Sequence, residues 1–166
     1  MKTRLAIALS ALLLAPCFVK AVETKLNTTD TQFIKEVGQG GMDEVKLATL
    51  GTQKAESAEV RAFAEQMVKD HTAANDELKA LAASKSVELS ASIDASTANA
   101  FKSLEEKKGA DFDSAFMKDM LKDHKSTVSA FEKEEKNAQD GDLKTWVSKM
   151  LPTLRGHLDH AKGLQK

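Results

Sequence analysis

The chain has 166 residues, of which 42% are hydrophobic and 30% charged, and its formal net charge is −1. This length suits one ordinary domain with a single core. The balance of acidic and basic residues excludes the strongly basic profile of a nucleic-acid-binding protein, so we expect no nucleic-acid partner. The only cysteine is Cys17. An intrachain disulfide is therefore excluded, and packing must stabilise the fold.

The first 21 residues have the pattern of a secretory signal peptide. Two basic residues precede an apolar run at 5–15, and Val19 and Ala21 occupy the −3 and −1 positions of a small-residue cleavage site. The run is shorter than the roughly 20 residues that cross a bilayer. Cleavage after Ala21 would leave a mature chain that starts at Val22, has no transmembrane segment, and carries 21 basic against 25 acidic residues, a net charge of −4.

This signal predicts a location in the periplasm or cell envelope. A lipoprotein anchored through Cys17 is the alternative, but Pro16 directly before the cysteine resembles no usual lipobox. We therefore expect export with cleavage after Ala21.

The remainder of the chain predicts an all-α fold. Ala, Lys, Glu, Leu and Met recur at helical spacing, and no β-branched run alternates. After a polar lead at 22–29, we expect a single domain at 30–164, built as an antiparallel four-helix bundle. The expected helices are 30–54, 57 to about 84–86, a short one at 95–107, one that Asp111 caps and that ends near 137, and one from about 142 to 164.

Two of these helices contain residues that weaken helical structure. Gly38, Gly40 and Gly41 leave it open whether the first helix is continuous. Pro152 removes one backbone hydrogen bond from the last helix and should kink it.

Three of the long helices share an aromatic residue followed four positions later by methionine. We expect these six side chains to fill the core, because four positions return to the same helix face. They are Phe63 and Met67, Phe116 and Met120, and Trp146 and Met150.

Histidines fall inside the apolar stripes of the same three helices. At about 100° per residue, His71 and His124 lie near the centres of their stripes and His157 slightly off centre. Helix lengths place the three at similar depths, at about 1.5 Å per residue. The sequence therefore predicts a polar layer across the middle of the bundle, whereas His160, at the edge of its stripe, should be solvated.

Glu44 adds a carboxylate to this layer if the first helix is continuous. A break at the glycines would decouple its phase and leave it an ordinary first-turn glutamate, and both alternatives stay open. Imidazoles and a carboxylate from different helices suit one transition-metal ion, Zn, Fe, Mn or Cu. The hypothetical metal ligands are thus His71, His124, His157 and Glu44. The alternative is a metal-free layer in which buried histidines donate to carbonyl groups.

Asp70 and Asp123 each directly precede a core histidine. They lie some 100° from the stripe axis, where a side chain reaches a neighbouring helix. We hypothesise that each hydrogen-bonds a metal-binding histidine of that helix. The alternative is that both are solvated.

Several segments in this order resemble an exported bacterial family of unknown function with a ferritin-like fold, often labelled an outer membrane protein. They are FIKEVGQGGMDEVKLATLGTQKA, FAEQMVKDH, GADFDSAFMKDMLKDH and LPTLRGHLDHAKGL. The resemblance implies the fold and export, and it implies no activity because the family has no established one.

The ferritin-like di-iron motif, Glu-x-x-His on two helices, is absent from the sequence. The residues three positions before the core histidines are Val68, Leu121 and Leu154, all apolar. A mononuclear site, or none, therefore fits the residues better than a bridged di-iron centre.

Together these patterns predict an exported, non-enzymatic bundle that binds a small ligand or a metal ion, or protects the envelope under stress, through its histidine layer. The alternative is a ferritin-like metalloenzyme acting on oxygen species, which would need open coordination positions and more carboxylates. The sequence contains no nucleophile beside a base at motif spacing and no phosphate-binding loop. It does not predict the identity of a cofactor or the oligomeric state.

Overall fold

A computed structural model describes residues 26–165, and all regular secondary structure in this part of the chain is helical. The all-α class is therefore confirmed, while the predicted signal peptide and Val22 lie outside the described residues. No helix between residues 26 and 165 is both long and apolar enough to cross a membrane. The five helices are α1 (Thr28–Lys54), α2 (Ala58–Ser84), α3 (Ala95–Glu105), α4 (Gly109–Asn137) and α5 (Gly141–Leu164).

Most of the helices begin at a side-chain cap. Asn27, Ser57, Asp94 and Asp140 each accept hydrogen bonds from backbone N–H groups of the first turn that follows. The exception is α4, which starts at Gly109, where φ is +55°. Lys108 precedes it without a side-chain cap bond, so the prediction that Asp111 caps this helix is wrong: that residue lies in the first turn.

Helix α1 continues through its glycines because they allow close contact with other helices. A Cβ atom at Gly41 would overlap Asn75 Oδ1, and one at Gly51 would lie 2.8 Å from Ala64 Cβ and 2.7 Å from Phe116 Cζ. Small residues at these positions therefore bring α1 against α2. Since the helix is unbroken, Glu44 keeps its phase and faces inward, with only 8% of its surface exposed.

The four long helices pack mainly as the pairs α1 with α2 and α4 with α5, with further contacts of α1 with α4 and α2 with α5. Helix α3 packs on α1 and α4. Of the six predicted core residues, five are buried, and Met150 is partly buried. Helix α5 runs unbroken through Pro152, whose kink stays a prediction.

Two apolar clusters fill the interior, and each of the four long helices contributes to both. The Phe63 cluster includes Leu47, Phe63, Met67, Phe116, Met120 and Ala161. The Trp146 cluster includes Phe33, Leu78, Val128, Phe131, Trp146 and Leu154. In each long helix a buried polar residue lies in sequence between the two sets: Glu44, His71, His124 and His157.

Candidate metal centre

His71 is placed by the apolar stripe of α2. Phe63, Met67 and Leu78 on the same face are at most 1% exposed, and the stripe carries the imidazole into the interior, where 8% of the residue remains exposed. Its Nε2 atom is buried and has no hydrogen-bond partner among the described residues.

His124 is placed in the same way by α4 and is 1% exposed. Its Nδ1 lies 3.0 Å from the carbonyl oxygen of Met120, one turn earlier. A carbonyl only accepts, so Nδ1 carries the proton and donates, which leaves the lone pair on Nε2. That Nε2 atom is also buried without a partner in residues 26–165.

His157 approaches from α5, and its orientation is set by another helix. Its Nε2 lies 2.9 Å from Oδ2 of Asp70 on α2, and the same oxygen accepts a hydrogen bond of 2.6 Å from Gln66. The carboxylate accepts, so Nε2 donates and Nδ1 keeps the lone pair. This Nδ1 atom is buried, and nothing in the described chain pairs with it. A carboxylate that accepts a hydrogen bond from one ring nitrogen fixes the tautomer and orientation of the ring, an arrangement also common at metal-binding histidines.

The three imidazoles meet in one group. Each pair of ring centroids is 5.5 Å apart, and one potential ligand atom from each residue lies within 4.8 Å of the others. Nitrogens no more than 4.8 Å apart lie at most about 2.8 Å from a common centre, whereas a Zn–N bond is about 2.0–2.1 Å. Movements of about 0.7 Å per ring would therefore bring all three onto one ion, a distance within reach of small side-chain rotations.

Glu44 lies beside this group but does not belong to it. Its Oε1 is 3.6 Å from His124 Nδ1, which is the nitrogen committed to Met120, and its Oε2 is buried without a partner in the described part of the chain. The structure thus brings three of the four hypothetical ligands together. Coordination by Glu44 would require its side chain to move and stays a prediction.

Burial sets the charge states of the group. Burial, reinforced by His124 and His157, lowers the pKa of His71 to about 3. Burial likewise lowers the pKa of His124 to about 4 and lowers that of His157. The rings are therefore neutral near pH 7, the state in which imidazole binds a metal ion.

The pKa of Glu44, the carboxyl group beside the rings, shifts in the opposite direction. Burial, together with the charges of Asp123 and Asp43, raises the pKa of Glu44 to about 8. With His124 neutral and Glu44 protonated near pH 7, their 3.6 Å contact is not an ion pair. Glu44 would have to lose this proton to bind a metal ion.

The remaining candidates are placed differently. Asp70 reaches the histidine of a neighbouring helix, as hypothesised, while Asp123 is partly buried near Glu44 and forms no hydrogen bond to a histidine among the described residues. His160 is exposed and meets the edge of Phe63, with ring centroids 5.2 Å apart.

A cavity of about 340 Å³ borders His71 and His157 and is lined by all four long helices. Sequence analysis missed it, because the space depends on how far the helices stand apart. The adjacent glycines Gly40 and Gly41 both line the cavity, and they were the feature of the sequence that could have indicated it. The alternative prediction, that a buried histidine donates to a carbonyl group, holds for Nδ1 of His124, although the sequence did not identify Met120 as the partner.

Comparison with known proteins identifies the family. A sequence model described as "Domain of unknown function (DUF4142)" matches residues 15–164. The chain belongs to this family. The resemblance to a family of unknown function is thus confirmed, and membership in the DUF4142 family assigns no activity. No curated protein matches the sequence.

Solved structures similar to this DUF4142 protein share its fold at low sequence identity. A DUF305 fragment from Deinococcus radiodurans is 14% identical with a TM-score of 0.74, and the match covers 85% of this chain and 97% of the fragment. CopM in its Cu(I)-bound form is 18% identical with a TM-score of 0.69, covering 82% of this chain and 95% of CopM. CopM was also solved in Cu(II)-bound, silver-bound and apo forms.

Proposed function

We propose that this protein is an exported, non-enzymatic helical bundle that binds one transition-metal ion through His71, His124 and His157. The observation that carries the proposal is that each buried ring keeps one nitrogen without a partner among the described residues, and that the rings converge from three helices. Native proteins pair the large majority of their buried polar atoms. A metal ion that accepts one lone pair from each ring, with the proton of His71 on its Nδ1, would explain three unpaired nitrogens at one place.

Copper, zinc and iron are the ions that this ligand set favours. Imidazole suits all three, whereas manganese prefers carboxylate and carbonyl oxygen, and three of the four proposed ligand atoms are imidazole nitrogens. CopM, similar in fold, was solved with copper bound, which makes copper the first ion to test here. Glu44 is the proposed fourth ligand after it loses its proton, and Asp70 the group that orients His157.

The fold and location belong to the same proposal. In α1 and α5 the Trp146 cluster residues precede those of the Phe63 cluster in sequence, and in α2 and α4 they follow. This order supports an antiparallel, ferritin-like four-helix bundle with one long connection through α3, forming a single domain at 30–164. A signal peptide at 1–21 would deliver this domain to the periplasm or envelope, where it would sequester the ion.

The test is metal titration of the mature chain after stripping with chelator. We expect one Cu or Zn ion per chain and a rise in the melting temperature, because an ion that binds only the folded state at 100 times its Kd adds about 2.7 kcal/mol of stability. His71→Leu, His124→Leu and His157→Leu should each abolish the rise. His160→Leu is the matched control and should keep it. A wild-type melting temperature indifferent to metal and chelator across about pH 6 to 8 would end the proposal.

A metalloenzyme acting on oxygen species is the second candidate, favoured by the cavity beside His71 and His157. A small oxygen species in this space would reach an ion held by those rings. Turnover of superoxide or peroxide by the metal-loaded protein, above that of the free ion and lost in His71→Leu, would support this candidate over simple sequestration.

A further inference from the structure

The cavity beside the histidines has a lining of one charge sign. Among the described residues that line it there is no lysine or arginine, whereas five are acidic. They are Glu36, Asp43, Glu44, Asp70 and Asp123. Its volume of about 340 Å³ exceeds what a metal ion needs and falls within the range of about 300–1,000 Å³ typical of small-molecule sites. Glu44 is protonated near pH 7, and the other carboxylates of the lining attract cations and repel anions.

Part of the cavity wall is aromatic. The rings of Phe33 and Phe131 meet edge to face with centroids 5.2 Å apart, and Phe131 lies 5.6 Å from Trp146. All three line the cavity. Aromatic faces attract organic cations through their ring quadrupoles and cover the apolar part of the same molecule.

Two buried polar atoms in this lining have no partner in the described part of the chain. They are Glu44 Oε2 and Trp146 Nε1, and each residue is only 8% exposed. The indole N–H is a donor, and the Glu44 carboxyl oxygen can accept a hydrogen bond or, when protonated, donate one. Both residues border one open space. This observation is independent of charge. Both atoms are buried, so a ligand in the cavity would pair with them only after a small side-chain rotation.

We propose that the cavity binds a small organic ammonium ion with an apolar body. The body packs on Phe33, Phe131 and Trp146, and the charged nitrogen faces the acidic residues around Glu44. An anion is repelled by this lining, and an inorganic cation leaves the aromatic wall uncovered. The proposal goes beyond the metal site and does not depend on it, because the cavity with its acidic and aromatic lining is present in the metal-free protein.

Trp146 makes the test direct. It is the only tryptophan, and the chain has no tyrosine, so intrinsic fluorescence reports on this cavity. Metal-free protein in chelator is titrated with 2-phenylethylamine, 2-phenylethanol and phenylacetate, which share one ring and differ in charge. We expect the ammonium ion to bind at least ten times more tightly than the alcohol and the carboxylate not to bind. Equal affinities for the three, or no fluorescence response to the amine, would overturn the proposal.

Matched variants locate the site. A Cβ at Gly40 or at Gly156 meets nothing within 4 Å, but only Gly40 lines the cavity. Gly40→Leu should weaken amine binding at least tenfold and Gly156→Leu should not. Asp123→Asn should weaken it several-fold, while Asp119→Asn, one turn earlier and outside the lining, should not. If the two glycine variants weakened amine binding equally, or if the two aspartate variants did, the assignment of the amine to this cavity would be overturned. Metal titration of the same variants shows whether the histidine site still binds metal, so failure of the amine proposal can be distinguished from failure of the metal proposal.

Discussion

Two of the regions that bury polar side chains differ in how those side chains pair with the backbone. At the first, Asp30 of α1 is 1% exposed, and its Oδ2 accepts hydrogen bonds from the backbone N–H groups of Gln139 and Asp140, at 3.2 and 2.9 Å. Glu134 of α4 lies beside it, 4% exposed. Burial and the neighbouring Asp30 carboxylate raise the pKa of Glu134. The second region is the histidine group.

The difference lies in what each region does for the fold. Asp30 ties the first helix to the turn between α4 and α5, so its burial is explained by the backbone groups that it satisfies. Both regions leave buried atoms without a partner among the described residues: Asp30 Oδ1 and Glu134 Oε1 in the first, and one ring nitrogen of each histidine in the second. The regions differ because Asp30 Oδ2 binds two backbone N–H groups, whereas the three rings converge on one another. Polar burial at Asp30 therefore has a structural explanation in the backbone groups it binds, whereas the convergent ring nitrogens are those that the proposed metal site would use. Changes of pH and sequence should therefore affect the two regions differently.

The largest expected effect is acid destabilisation of the metal-free protein. The folded-state pKa of each core histidine lies below the unfolded value of about 6.5. The stability that each neutral ring contributes is therefore fully present above that pH. This contribution is lost as pH falls toward about 4 for His124 and about 3 for His71. Each histidine can lower the free energy of unfolding by at most about 1.4 kcal/mol per pH unit.

Urea unfolding at pH 7, 6 and 5 measures this slope. His124→Leu should reduce the slope of unfolding free energy against pH by the contribution of one histidine. His160→Leu changes an exposed position and should retain the wild-type slope. Equal slopes in the wild type and His124→Leu would contradict a buried neutral ring.

Next in size is Asp30→Ala. It leaves the N–H groups of Gln139 and Asp140 without their acceptor, and we expect a loss of about 3 kcal/mol, since hydrogen bonds to a charged group contribute about 1.5–3 kcal/mol each. Asp159→Ala removes only an exposed ion pair with Lys162 and should cost less than about 1 kcal/mol. Chemical unfolding at pH 7 compares them. Similar small losses would show that Asp30 does not anchor the turn.

Periodicity was sufficient to predict most of the histidine region. The apolar stripes placed His71, His124 and His157 inside, and all three are buried, because a helix of 3.6 residues per turn fixes which side chains share a face. The continuity of α1 was not predictable. It depends on Asn75 and Ala64, residues of another helix that pack against the glycines.

The Asp30 region was not predictable from local sequence. The sequence indicated only that a helix starts near this residue, and the backbone groups that Asp30 binds are more than 100 residues away. The cap itself is Asn27, which accepts from the N–H of Asp30 at 2.8 Å. Long-range polar contacts of this kind have no periodic signature, and neither has the cavity, whose shape depends on side-chain packing.

A smaller effect is expected from Glu44→Gln in metal-free protein. The pKa of Glu44 is raised by burial to about 8 from an ordinary value of 4.5, so the wild type loses stability as pH rises from about 4.5 to 8. Glutamine is neutral throughout and avoids this loss. We expect Glu44→Gln to be more stable than the wild type by about 1–3 kcal/mol at pH 8, and the difference to shrink toward pH 5. Exposed Glu65→Gln should show no such trend. A constant difference across pH would mean that Glu44 is not buried as a protonated acid.

The smallest expected effect is His71→Leu in metal-free protein at pH 8. Leucine is apolar and similar in size, and it removes a buried Nε2 that lacks a partner among the described residues, so the change should cost less than about 1 kcal/mol. His157→Leu should cost more, because it leaves the carboxylate of Asp70 without its ring donor. Both variants should nevertheless lose metal-dependent stabilisation completely. Urea unfolding with and without metal separates the two quantities. A loss above about 3 kcal/mol for metal-free His71→Leu would place this histidine with Asp30, as part of what holds the helices together.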